Sequence, residues 1–392
     1  MLKAAFARKS IFPQDISYGP RLLGYGNASQ TTLLRDCAGE HKPTPIGVHT
    51  LLLESGSQRM AILSLDVLGM DVDLVNELRR KARESFNVSN MLVAATHTHS
   101  SLPAVSTCAG GPVDIHFRNT ILRSVNETLE QAELGLEEVV DIESAQNTTS
   151  DLNENRRKYE DRPVDRRVSI LRVKTVSGKR ILAVRYTCHP VCFGRDNLYA
   201  SSDFVGYLET MLRQEGDLLF LNGCAGYVKP SNLKHQAEID AGRIATGLVR
   251  AITSAKVKTT QNPSINSSET PVNLTFQPVE PKKPNWIKLA TSGPAEINAL
   301  RIGDVILVGL PGEPFTETGA KIEAACGLNV WVIGYTDGYF GYLIDQTAED
   351  RANTGQADYE AGSAPQSIGY KIHASDASCF ESAAIDAANK IL

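Results

Sequence analysis

Met91, Leu92, Val93, Ala94 and Ala95 form an unbroken apolar run that stops at Thr96-His-Thr-His-Ser100. A short apolar run bounded by polar residues reads as a strand buried on both faces. The polar cluster then sits at its C-terminal end. On an extended backbone, residues two apart face the same side, so His97 and His99 are expected to project together into a cleft. Neutral imidazole is a common zinc ligand, and two on one face suit a metal and its neighbour. The pattern alone leaves a second reading open, with one histidine a hydrogen-bonded core residue and the other at the surface.

Strand-like and helix-like periodicities alternate around this run. Strands are expected over 50–53, 60–65, 139–144, 167–173, 181–186, 218–221, 304–310 and 330–334. Helices are expected over 71–86, 117–134, 204–215, 237–255, 315–325 and 374–392. This predicts an α/β fold, with mixed β-sheets flanked by helices, as one domain over 1–392. Residues 259–285 are rich in Thr, Ser, Asn and Pro and read as a peripheral excursion.

Hydrophobic residues make up 42% of the 392, enough for a substantial core. The net charge of −5, with no polybasic run, points away from nucleic acid and anionic membranes as partners. No window approaches the roughly 18 apolar residues of a membrane span. The first residues, interrupted by Lys3, Arg8 and Lys9, lack the apolar stretch of a secretion signal. The seven cysteines are scattered and odd in number, which suggests reduced thiols and a cytoplasmic location.

Three further sites could carry chemistry. His189 stands in Tyr186-Thr-Cys-His-Pro190, where a strand runs out. Cys188 and Cys192 flank it, but without a second cysteine pair they read as small buried hydrophobes. Glu313, in Leu310-Pro-Gly-Glu-Pro-Phe315, is by itself an acid in the first turn of a helix. Tyr335, Tyr339 and Tyr342 by themselves read as packing.

Taken in order, these pieces resemble the neutral, non-lysosomal ceramidases and their shorter bacterial relatives. The matching elements run from about Gly47 to Glu360. They include Gly47-Val-His-Thr50, Leu65-Asp66, Thr96-His-Thr-His-Ser100, Asn155-Arg-Arg157 and Cys188-His189-Pro190. They continue with Ser201-Ser-Asp203, Gly206, Gly223-Cys-Ala-Gly226, Pro311-Gly-Glu313, Asp337-Gly-Tyr-Phe-Gly-Tyr342 and Tyr359-Glu360. The resemblance covers the catalytic domain and not the immunoglobulin-like domain that follows it in the long ceramidases.

The resemblance implies one zinc ion per chain, held by His97, His189, Glu313 and Tyr342. His99 would lie beside the metal and contact substrate or water, and Tyr342 would have a part in the chemistry. Asn155, Arg156 and Tyr359 match positions near the substrate pocket. The chain departs from the family at Gly226-Tyr-Val-Lys-Pro-Ser-Asn232, where ceramidases carry Gly-Asp-x-Ser-Pro-Asn. Tyr227 replaces the acid and is expected among the substrate-binding residues, and Lys229 replaces the serine assigned to amide cleavage.

The expected function is therefore zinc-dependent hydrolysis of a small or medium polar amide, with ceramide not the expected substrate. Lys229, with Arg156 or Arg157, would bind a carboxylate or phosphate on that substrate. Alternatively the arginines pair with Glu160, Asp161 and Asp165, and Lys229 is simply solvated. Two other functions remain open at this point: a zinc-dependent esterase or lactonase, and a non-catalytic metal-binding or regulatory protein.

Overall fold

Strands Gly47–Ser55 and Gln58–Leu65 form a hairpin across the two-residue turn Gly56-Ser57, with Ser55 opposite Gln58. Gly56 sits at φ +61, the left-handed conformation such tight turns require. This hairpin belongs to a nine-stranded mixed sheet in the computed structural model. The structure describes residues 1–25, 34–157, 161–260, 263–275, 277–278, 292–327, 329–356 and 358–392.

Across the sheet the order is Asp217–Asn222, Arg180–Tyr186, Arg167–Thr175, Glu137–Thr148, Leu2–Ser10, Gly47–Ser55, Gln58–Leu65 and Asn90–Ala95. Val257–Thr259 pairs separately with Glu137–Thr148. Leu2–Ser10, whose apolar pieces are broken by charges, lies near the middle of the sheet, paired antiparallel with Gly47–Ser55. A second sheet is ordered Ile265–Thr275, Ser292–Ile302, Val305–Gly309 and Val330–Ile333.

Within these two sheets most pairings are antiparallel, and three are parallel: Gln58–Leu65 with Asn90–Ala95, Arg180–Tyr186 with Asp217–Asn222, and Val305–Gly309 with Val330–Ile333. The chain leaves each parallel pair at its carboxyl end and enters a segment the sequence reading marked. Ala95 leads to His97, Tyr186 to His189, and Gly309 to Glu313. Ligand sites of open α/β sheets characteristically lie outside the carboxyl ends of strands.

Asn222 fastens two of these ends together. Its Nδ2 donates to the carbonyls of Thr96 (3.1 Å) and Cys188 (3.0 Å), and its Oδ1 accepts from Cys188 N (3.2 Å). The third end is tied in through backbone bonds, Ala95 N to Tyr335 O (3.0 Å) and Gly334 N to Asn222 O (3.0 Å). Five hydrogen bonds thus hold the three exits in a fixed relation.

Helices cover the outer faces. Val72–Phe86 buries Leu74, Val75, Leu78, Ala82 and Phe86, an apolar stripe at helical spacing, and ends at Asn87 in the left-handed conformation. Ile115–Leu134, Phe204–Leu212, Ala237–Thr253, Thr316–Cys326 and Ala374–Asn389 follow at the expected places. No helix among the described residues is long and apolar enough to cross a membrane.

Within the stretch 259–285, read from the sequence as a peripheral excursion, Ile265–Thr275 is a strand at the edge of the second sheet, paired along its whole length with Ser292–Ile302. Its polar composition conceals a period of two: Val272 and Leu274 are buried on either side of exposed Asn273, and Ser268 bonds Ala387 O of the C-terminal helix. Residues 279–285 of that stretch lie outside the described residues.

Candidate metal centre and cavity

His97 follows its strand in a left-handed conformation, φ 68, so the extended geometry expected of the His-x-His pair ends before it. Non-glycine residues held there cost of order 1–3 kcal/mol, and such strain concentrates at functional sites. The two rings converge all the same. His97 Nε2 lies 3.3 Å from His99 Nε2, with the ring planes near perpendicular.

What holds His97 is local. Its amide donates to Val67 O (2.9 Å) and its Nδ1 to Leu68 O (2.6 Å), while its ring stacks on Tyr335 at 4.0 Å between centroids. His189 is fixed the same way. Val228 O receives both the amide (3.1 Å) and Nδ1 (3.0 Å) of His189. A carbonyl partner makes each Nδ1 the protonated nitrogen, so each Nε2 presents a lone pair.

Glu313 completes the set. Its Oε1 accepts from Tyr339 Oη at 2.6 Å, and its Oε2 lies 3.3 Å from His97 Nε2 and 3.2 Å from His189 Nε2. All three residues are buried, at about 1% exposure each. His189 Nε2 and Glu313 Oε2 have no hydrogen-bond partner. Orphaned buried polar atoms facing one another are costly unless something else occupies the space between them.

The donor set fits a metal ion. Two donors each about 2.0–2.1 Å from zinc at a tetrahedral angle stand about 3.3 Å apart, which is the spacing found here. Among the described residues, one atom each of His97, His99 and His189 can be chosen with all three within 4.8 Å of one another. Burial raises and the two histidines lower the Glu313 carboxyl, which ends well below its ordinary range. Burial, and then Arg156, push His189 down to about 4, so its ring is unprotonated near neutrality. Burial and the neighbouring His97 and His189 likewise hold His99 well below its usual value.

A cavity of about 570 Å³ opens over the cluster, of the size of a small-molecule site. His97, His99, Glu313, Tyr339 and Tyr342 line its floor. Tyr342 stands opposite Glu313 in a short parallel pairing, and its hydroxyl accepts from Arg156 Nη2 at 2.9 Å. Tyr359 lines the wall, edge-on to Tyr342 at 6.0 Å, at the start of a π-helical turn. Such turns are frequent at functional sites.

The remaining expected residues divide. Arg156 and Lys229 reach the cavity wall. Asn155 is not among the lining residues; its Oδ1 accepts from Arg157 N at 2.8 Å and shapes the turn behind the wall. Tyr227 is corrected outright. It is fully buried away from the cavity, packed edge-on against Phe315, with its hydroxyl bonded to Pro163 O (2.8 Å) and Glu317 Oε2 (2.6 Å). A large ring with two polar partners inside the protein has no reason to face the cavity.

The arginine partners also differ from expectation. Arg156 Nη2 bonds Glu360 Oε1 (3.0 Å), and Arg157 bonds Glu360 Oε2 (2.6 Å) and Asp358 (3.1 Å). These acids lie about 200 residues away in sequence, beyond local pairing arguments. Asp165 instead binds Arg167 and Arg185. Glu160 lies outside the described residues. Sequence reasoning missed Glu360 as the clamp on both arginines and Tyr339 as the partner of Glu313. Both lie in quoted motifs, but neither motif names its partner.

No protein-family model matches the sequence. Among solved structures, the chain is similar to the neutral ceramidase from Pseudomonas aeruginosa, with a TM-score of 0.78, 16% identity, and coverage of 100% of this chain and 74% of that one. A ceramidase complexed with C2 matches equally well in fold, at TM-score 0.78, 15% identity, and coverage of 100% and 75%. A likeness at this identity speaks for architecture, and the chain has the mixed α/β fold of the neutral ceramidases.

Proposed function

We propose that the protein is a zinc-dependent hydrolase that cleaves the C–N bond of a small or medium polar amide. The observation that carries this reading is the convergence of His97 Nε2, His189 Nε2 and Glu313 Oε2 at 3.2–3.3 Å, with the other polar atom of each side chain tied elsewhere. His97, His189 and Glu313 would hold the zinc, with Tyr342 as a weak fourth donor. A zinc ion so held supplies Lewis acidity toward a carbonyl oxygen and acidifies water.

The chain's own residues divide the remaining work. His99, unprotonated near neutrality and 3.3 Å from His97, takes a proton from the attacking water and passes it to the departing nitrogen. Water adds to the carbonyl carbon, the C–N bond breaks, and a carboxylic acid and an amine leave. Arg156, anchored by Glu360, and Tyr359 orient the substrate in the cavity. A cytoplasmic setting accords with seven cysteines, none in a disulfide.

The test is hydrolysis of a panel of simple amides and lactones, after removal of metal with a chelator and again after zinc is restored. Zinc-dependent release of amine supports the proposal. Turnover confined to lactones would replace it with the esterase reading. Metal uptake without turnover of any substrate would favour a binding protein.

A further inference from the structure

The chain carries a net charge of −5, yet four cations line the cavity, Arg156, Arg157, Arg195 and Lys229, against two acids, Glu313 and Glu360. A cleft lined by one sign of charge concentrates ligands of the other. The four cations are not equivalent. Arg156 and Arg157 are clamped by buried Glu360, and Arg157 also by Asp358. Those carboxylates already engage the guanidinium groups, so the pair is a fixed part of the wall, and Arg156 orients the substrate without exchanging its partner.

Lys229 is differently placed. It pairs with Glu154 Oε1 at 2.8 Å, and both side chains are more than one-third exposed, at 34% and 41%. Exposed pairs of this kind hold weakly, and one carboxylate readily takes the place of another. The backbone beneath Lys229 is nevertheless fixed to the metal centre. It follows Val228, whose carbonyl holds His189 twice, and it stands opposite Glu154 in the ribbon of Val228–Pro230 with Asn153–Asn155.

Arg195, exposed at the same cavity, follows Gly194, whose amide donates to Tyr25 Oη at 3.1 Å; the Tyr25 ring lies 5.2 Å from that of His99. Other parts of the lining are apolar. Leu23, Leu68, Ala364 and Ile368 contribute there, and Leu68 O is the carbonyl that orients His97. Cationic and apolar surfaces therefore both adjoin the same histidines.

Resting on the amide-hydrolase reading above, we propose that the substrate carries a carboxylate as well as an apolar group, as an N-acyl amino acid does. Lys229 exchanges Glu154 for the substrate carboxylate, with Arg195 as the second cation, and the apolar group lies against Leu23, Leu68 and Ile368. Lys229 is then the residue that sets specificity for the acid.

The experiment compares hexanoylglycine with its uncharged twin, hexanoylglycinamide, by calorimetric titration of the full chain, with hydrolysis of both followed in parallel. Wild type is expected to bind the acid at least about tenfold more tightly, the scale of one hydrogen bond to a charged group. Lys229→Met, which keeps the apolar stem, abolishes that preference. Glu154→Gln, which releases Lys229 from its partner, strengthens binding of the acid. Equal binding of acid and amide by wild type overturns the proposal. So does a preference that survives Lys229→Met. A preference that is intact without turnover sinks the hydrolase reading and leaves the carboxylate site standing. Hydrolysis of both compounds without discrimination does the reverse.

Discussion

Tyr339 Oη donates to Glu313 Oε1 at 2.6 Å, and this bond decides which oxygen of the carboxylate faces the histidines. With Oε1 engaged, Oε2 is left 3.2–3.3 Å from both His189 and His97. The tyrosine thus does for the carboxylate what Leu68 O and Val228 O do for the imidazoles. Partners of this kind fix the orientation of ligands and tune their donor strength.

We predict that Tyr339→Phe lowers zinc affinity by about tenfold, the lower end of what losing such a partner costs. Competition with a coloured chelator measures it. The ring remains, so thermal stability should change little. Unaltered affinity would show that Glu313 is oriented by its backbone alone.

Gly24 gives a second prediction. A Cβ there would stand 2.5 Å from His99 O, and the residue sits at φ +148, outside the range of L side chains. His99 O also accepts from Arg35 Nη2 at 2.5 Å, so the backbone around it has little room to move. Gly24→Ala should displace His99 and reduce kcat at least about tenfold, the scale of lost general acid–base catalysis. Bound zinc should stay the same, since His97, His189 and Glu313 are untouched. Loss of metal alongside activity would show that His99 is itself a ligand.

Acid stability is the subject of the third. Asp165, nearly buried, accepts from Arg185 Nη1 at 2.5 Å and from Arg167 Nε at 2.8 Å. Burial raises its carboxyl and the two guanidinium groups more than reverse that, so it ends well below its ordinary value. A carboxyl depressed on folding stabilises fully above its unfolded value, about 3.9. That contribution is lost as pH falls toward the folded value. Asp165→Asn leaves buried Arg185 with the carboxylate of Glu323, 3.6 Å away, and the carbonyl of Val332, and should cost about 3–5 kcal/mol at pH 7. The gap between wild type and variant should be constant above about pH 5 and narrow below about pH 4. Denaturant melts at a series of pH values would show it, and a gap that widens in acid would contradict the assignment.

What could be read in the sequence followed from periodicity. The run ending at Ala95 is a strand, and the stripe Leu74, Leu78, Ala82 is a buried helix face, because both patterns are set within a few residues. Ile265–Thr275 was hidden because its alternating apolar positions are diluted by serine and threonine. Glu313 looked like a helix-start acid, and only the packing of its strand against the other two parallel pairs brings it to His97 and His189. Tyr227 was misplaced for the same reason in reverse. Its direction depends on Glu317 and Phe315, 90 and 88 residues away, which no local pattern supplies.

The most direct test of the whole account is metal content by elemental analysis of the purified wild type, with His97→Ala and Glu313→Ala prepared alongside. The account predicts about one zinc per chain in the wild type, lost in both variants, as a site with three protein donors requires. A wild type that is metal-free and takes up no added zinc would contradict it.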